Sequence, residues 1–142
     1  MNPPLEPLTL DRIQERFDQS PAISALGLKV VSLDYEGKEL KVRMPFQPAM
    51  ERRPGTRQFH GGPIAAFIDI VGDYVVGMML GAPVPTINLR IDYLRPAFGD
   101  ALTAVARVRS GGRTVSVVDI EVFNEESALV AIGRGTYASK TG

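Results

Sequence analysis

The stretch HGGPIAAFIDIVGDYVVGMML, residues 60–80, constrains this chain more than any other. From Pro63 to Leu80 it is apolar on nearly every side, so no single helical stripe separates core from solvent. Pro63 lacks a backbone N–H and fits the first turn of a helix, where that donor has no helical partner. Gly81 supplies a C-terminal stop, with Pro83 and Pro85 just beyond it. The spacing predicts one helix of about 18 residues ending at Leu80. A membrane span has similar length, but this run holds Asp69, Asp73 and two glycines and lacks a basic C-terminal flank. The expectation is a buried helix that something else wraps.

The remaining chain supplies the wrapper. TINLRIDYLRP, ALTAVARVRS, RTVSVVDIEVFNE and LVAIGRGTYAS are four β-rich segments. The turns between them, at Phe98-Gly99-Asp100, Gly111-Gly112 and Glu126-Ser127, are short enough to predict antiparallel neighbours. Within ALTAVARVRS, Leu102, Ala104, Ala106 and Val108 share one face, while Thr103, Arg107 and Arg109 share the other. Before the helix, LKVVSLDYEGKELKVRMPF reads as two strands around Glu36-Gly37, followed by the loop QPAMERRPGTRQF. At the start, Thr9 is a plausible N-cap for a helix with Leu10, Ile13 and Phe17 on one stripe. Ser20-Pro21 closes it and opens a short second helix ending at Gly27. These elements predict a single α+β domain over residues 1–142, with residues 1–21 as an N-terminal helical extension. Five to six antiparallel strands curl around the long helix.

Composition narrows the function. Sixteen basic residues balance sixteen acidic ones, so no net field recruits nucleic acid or an anionic membrane. There is no cysteine and one histidine, which excludes disulfides, thiolate catalysis and thiolate or His-rich metal sites. The expected set of metal ligands and cofactors is therefore empty. The N-terminus lacks the basic start and apolar core of a secretory signal, and a cytoplasmic location is expected. No G-x-S-x-G elbow or phosphate loop appears, and Gly133-Arg134-Gly135 lacks the third glycine of a dinucleotide fingerprint.

What remains is the helix start and its two acids. Unsatisfied N–H groups at a helix N-terminus carry the positive end of the dipole, and Gly61 and Gly62 admit a ligand close to the backbone. That arrangement suits an oxyanion of acyl transfer, though a tight turn alone also explains the two glycines. Asp69, among Phe67, Ile68, Ile70 and Val71, is costly unless paired or placed in a wet cleft. Asp73 lies one turn on and on the same face, so the pair reads as acid and base or as hydrogen-bond acceptors at a watery interface. A single base suffices for hydrolysis, which favours the acceptor role for Asp73. His60 is expected to brace the loop through hydrogen bonds to backbone.

The segments HGGPIAAFIDIVGDYVVG, TINLRIDYLRPAFGDALTAVARV and GGRTVSVVDIEVFN resemble the hotdog-fold acyl-CoA thioesterases, in particular their phenylacetic-acid-degradation branch. The resemblance runs from residue 22 to the end. It implies a helix wrapped by a curved antiparallel sheet, a homodimer whose sheets join edge to edge, and further pairing into a homotetramer. It implies hydrolysis of an acyl-CoA, aromatic or medium-chain, with Asp69 as general base or nucleophile. It further implies that Gly61 of the opposite subunit polarises the thioester carbonyl, with His60 among the catalytic residues and Gly62 among those that bind substrate. By the same resemblance Thr86 is expected to help hold the water, and Arg113 and Thr114 to contact coenzyme A. Some relatives carry an Asn six residues before the motif His; here that position is Pro54, and Gln58 is the candidate substitute. Arg52, Arg53 and Arg57 are candidates to steer phosphates, and Phe59, Ile64, Phe67 and Met78 to wall the acyl pocket. Rival readings are a non-catalytic acyl-CoA-binding domain and a hotdog hydratase or dehydratase. The latter generally needs a His–acid pair in other places.

Overall fold

The computed structural model describes residues 5–140; residues 1–4 of the expected N-terminal extension lie outside the described residues. Two short helices, α1 (Leu10–Gln19) and α2 (Pro21–Ser24), precede strands β1 (Lys29–Asp34) and β2 (Glu39–Pro45). The long helix α3 (Gly61–Leu80) follows, then β3 (Thr86–Tyr93), β4 (Ala101–Gly111), β5 (Val115–Phe123) and β6 (Leu129–Ala138). The six strands form one antiparallel sheet in the order β1-β2-β4-β5-β6-β3.

Helix α3 is two residues longer than the spacing suggested. His60 is its N-cap, and Gly81 ends it in the left-handed conformation at φ 84°, which a side chain would strain. Ten of its twenty residues are buried, including Phe67, Ile68, Val71 and Met78. By length and apolarity alone this helix could cross a membrane; here the sheet covers it instead. The covering face is built by alternation: Leu40, Val42 and Met44 of β2, Leu102, Ala104 and Ala106 of β4, and Val118, Ile120 and Val122 of β5 are all buried. On the opposite face of β4, Arg107 and Arg109 are exposed, as their alternation predicts. There Asp119 accepts two hydrogen bonds from Arg134, at 2.6 and 2.9 Å, which hold its carboxyl below the usual range.

The C-terminal half of α3 is closed by α1. Thr9 caps α1 by accepting from the Arg12 N–H, and Ile13 and Phe17 are buried. The Phe17 ring meets Tyr74 edge-on at 4.9 Å. Leu8, just before α1, is also tied down, because its N–H donates to the Met78 carbonyl at 2.7 Å.

One expectation fails. The turn at Phe98-Gly99-Asp100 does not make β3 and β4 neighbours: β3 pairs with β6, through registers such as Arg90↔Arg134. Both edges of β4 are already occupied, by β2 and β5, so the free edge of β6 is where β3 can go. The connection after Tyr93 includes Pro96, which has no N–H for a ladder, and its Ala97 carbonyl instead accepts from the Phe59 N–H. Strand β3 therefore ends the sheet with one edge unpaired.

Candidate active site

The helix start is assembled by three polar contacts. The imidazole Nδ1 of His60 accepts from the Gly62 N–H at 3.2 Å, while the His60 N–H donates to the Met50 carbonyl at 2.7 Å. His60 thus braces the loop as expected, and does so as an N-cap. The Gly61 N–H donates to no protein group among the described residues, and it carries the positive end of the dipole of α3. A cleft of about 410 Å³ opens beside it, lined by Gly61, Gly62, Ile64, Phe59, Gln58 and Tyr93, among others.

Tyr93 was not foreseen. Its hydroxyl donates to the Gly61 carbonyl at 2.7 Å, and its ring lies 3.3 Å from where a Cβ at position 61 would stand. A side chain at position 61 would press on that ring, so the close approach itself requires a small residue. The only signal available was the length of β3: a tyrosine at its far end can reach back to the helix start only once β3 is known to flank β6. Arg52 and Arg95 also border the cleft, whereas Arg57 is held elsewhere, against Asp100 at 2.6 Å and over the Phe46 ring. Pro54 and Arg53 sit in an exposed turn. Of the proposed pocket walls, Phe59 and Ile64 line the cleft; Phe67 and Met78 are fully enclosed in the core and leave no surface for an acyl chain in this chain alone.

Two turns along α3, Asp69 meets the strand that follows the helix. The Thr86 hydroxyl donates to Asp69 Oδ1 at 2.8 Å, while no hydrogen bond reaches the second carboxylate oxygen among the described residues. Behind it, the Tyr137 hydroxyl donates to the Asp69 carbonyl at 3.2 Å and fixes the backbone at this turn. The structure therefore joins Asp69 to Thr86, and His60 to Gly61 and Gly62. It does not join these two groups within one chain: eight residues at 1.5 Å rise set Gly61 and Asp69 about 12 Å apart along the axis. Arg113 and Thr114 form a third group in the exposed turn between β4 and β5. There Arg113 borders a second cavity, of about 380 Å³, together with Lys38, Val76 and Met79.

Asp73 has a different environment. Its Oδ1 accepts from the Val84 N–H at 2.7 Å, the acceptor role expected of it, made within this chain. Burial pushes its carboxyl up to about 7, against that hydrogen bond, with the Asp69 charge adding to the rise.

Residues 59–131 match the thioesterase superfamily. The chain belongs to that superfamily. It is 35% identical to the acyl-coenzyme A thioesterase PaaI of Escherichia coli, over 84% of this chain and 82% of that protein. It is 31% identical to the medium/long-chain acyl-CoA thioesterase YigI of E. coli, over 82% of this chain and 84% of its relative. The solved structure of E. coli PaaI superposes with a TM-score of 0.79 at 28% identity, covering 94% of this chain and 98% of that one. The wrapped helix is thus a hotdog fold, in a superfamily of hydrolases acting on thioesters, and its likeness is to the phenylacetic-acid-degradation branch.

Proposed function

We propose that the chain hydrolyses the thioester of an acyl-CoA, aromatic or medium-chain, to the free acid and coenzyme A. The observation that carries this reading is the Asp69 carboxylate, placed between Ile68 and Ile70 on α3 and gripped at one oxygen by Thr86. The other oxygen is left to take a proton from water as that water attacks the thioester carbon, or to attack that carbon itself and form an anhydride that water then cleaves. In either course the C–S bond breaks, and coenzyme A leaves as the thiol once its sulfur gains a proton. The chemistry draws on a carboxylate, a hydroxyl and a backbone donor, so no metal or redox group enters it.

The carbonyl oxygen of the tetrahedral intermediate requires donors close to the reacting carbon. The Gly61 N–H suits that role, but in its own chain it lies too far from Asp69. A second copy supplies it. The unpaired edge of β3 supports this, since an open strand edge is a pairing surface and large apolar side chains cluster there and just after it. Ile87, Tyr93, Leu94 and Phe98 are each about half exposed, an arrangement that burial against a partner would relieve. On this reading the working unit is a homodimer joined through β3, paired again into a tetramer, acting in the cytoplasm. Arg113 and Thr114 reach toward the coenzyme A portion.

A thiol-release assay over aromatic, medium-chain and long-chain acyl-CoAs, run on the wild type and Asp69→Asn together, tests the proposal. Turnover that collapses in the variant upholds it and identifies the acyl class. Acyl-CoA binding without turnover in the wild type overturns it.

A further inference from the structure

The segment joining α3 to β3 reads GAPVPT, residues 81–86, and its polar contacts are unusual. Pro83 and Pro85 have no backbone N–H. The Ala82 N–H turns back to the Gly77 carbonyl at 3.2 Å. Between Ala82 and Thr86, Val84 therefore offers the one backbone donor, and it is given to Asp73 Oδ1 at 2.7 Å. Two residues on, the Thr86 hydroxyl is given to Asp69 Oδ1 at 2.8 Å. Two carboxylates one turn apart on α3 thus grip alternate residues of one segment, the first through a side chain and the second through the backbone. Val84 is itself buried, and the Pro85 carbonyl accepts from Ala138 at 2.9 Å, so the segment has little freedom of its own.

We infer that Asp73 is a positioning residue for the proposed reaction: by holding Val84 it sets the Thr86 hydroxyl against Asp69. This rests on the thioesterase reading of Asp69. A carboxylate is a costly group to bury beside another acid, so its presence here calls for a reason. What the Asp side chain adds is reach from the helix to a segment that runs beside it without joining its ladder. The requirement is for an acceptor at that distance, which asparagine also meets.

The test measures kcat and KM for thiol release, with thermal unfolding of each variant, on the full chain. Asp73→Ala should lower kcat by about ten- to a hundredfold, as expected for a small displacement of a reacting group, with KM changed little. Asp73→Asn should restore kcat to within a few-fold of wild type. Because Asp73 acts through Thr86, adding Asp73→Ala to Thr86→Val should slow the enzyme no further than Thr86→Val alone. Should the alanine variant be too unstable to purify, Asp73→Ser, one bond short of the Val84 N–H, carries the same cycle. Wild-type kcat in the alanine or serine variant, full additivity with Thr86→Val, or failure of asparagine to restore the rate would each overturn the inference. Asp69→Asn in the same assay separates the two proposals: if that variant still turns over, the thioesterase mechanism fails first.

Discussion

The two halves of α3 make opposite use of the same scaffold. From Asp73 to Leu80, polar groups are tied within the chain: Asp73 holds Val84, the Gly77 carbonyl takes the Gly81 and Ala82 N–H groups, and the Met78 carbonyl takes Leu8. From Gly61 to Asp69, key groups are left open. The Gly61 N–H has no protein partner among the described residues, and one oxygen of Asp69 has none either. What pins this first half are side-chain hydroxyls, from Tyr93 and Thr86, together with the imidazole of His60. A half locked by backbone hydrogen bonds can hold still while the other keeps donors and acceptors available, which is the condition for electrostatic preorganisation.

The largest expected contrast is between the two acids. Asp69→Asn should cost about a hundred- to ten-thousandfold in kcat, the range associated with losing a general base. Asp73→Asn keeps its acceptor and should stay within a few-fold of wild type. Steady-state thiol release on the two variants checks this. A reversal, with position 73 the more sensitive, would mean that the catalytic half of the helix has been assigned to the wrong turn.

Protonation separates the halves next. Asp73 titrates near 3.8 in the unfolded chain and at about 7 when folded, so the folded state binds its proton more tightly. Stability from this group is therefore complete below pH 3.8, falls as pH rises between the two values, and levels off above 7. Three units correspond to about 4 kcal/mol as an upper bound. The difference in unfolding free energy between Asp73→Asn and wild type should then grow in favour of the variant from pH 5 to pH 8. A difference independent of pH would show that Asp73 is hydrated in the folded protein and that this half is not closed.

The same contrast explains what could be read from the sequence. The closed half declares itself: an all-round apolar run, a Gly81 stop and paired prolines determine helix, end and burial through local rules, and all three hold. The alternation in β4 did as well, because a strand with one buried face must alternate. The order of strands did not. Whether β3 lies beside β4 or β6 depends on which edges β2 and β5 have already taken, which short turns cannot reveal. The candidate site was legible where a residue is out of keeping with its neighbours, as with Asp69 between Ile68 and Ile70. Tyr93 was invisible because an aromatic at a strand end is ordinary until the partner of that strand is known. The role of Asp73 was half visible: an acceptor was foreseen, but the Val84 N–H, isolated between two prolines, was not connected to it.

At the boundary between the halves, Gly72 sits under Tyr137, and a Cβ there would overlap the tyrosine hydroxyl. Gly72→Ala gains about 1 kcal/mol of helix preference but must displace that ring, for a net loss of about 1–2 kcal/mol. The displaced hydroxyl would also release the Asp69 carbonyl. Chemical denaturation of Gly72→Ala, and of its combination with Tyr137→Phe, tests the packing: removing the hydroxyl should recover part of the loss. An alanine variant as stable as wild type would mean that α3 shifts freely on the sheet.

The smallest expected effect is at the open end. Tyr93→Phe keeps the ring against Gly61 and removes only the hydrogen bond to its carbonyl. An exposed neutral hydrogen bond contributes about 0.5–1 kcal/mol, so kcat should fall about two- to fivefold while the melting temperature barely moves. That pairing of effects is what distinguishes the open half, where removing one hydrogen bond disturbs the donor proposed to meet the oxyanion. At the boundary with the closed half, by contrast, disturbed packing at Gly72 registers first as reduced stability. A Tyr93→Phe variant that loses stability in proportion to its rate would place the helix start with the closed half. The Gly61 N–H would then be held by packing and not by that hydroxyl.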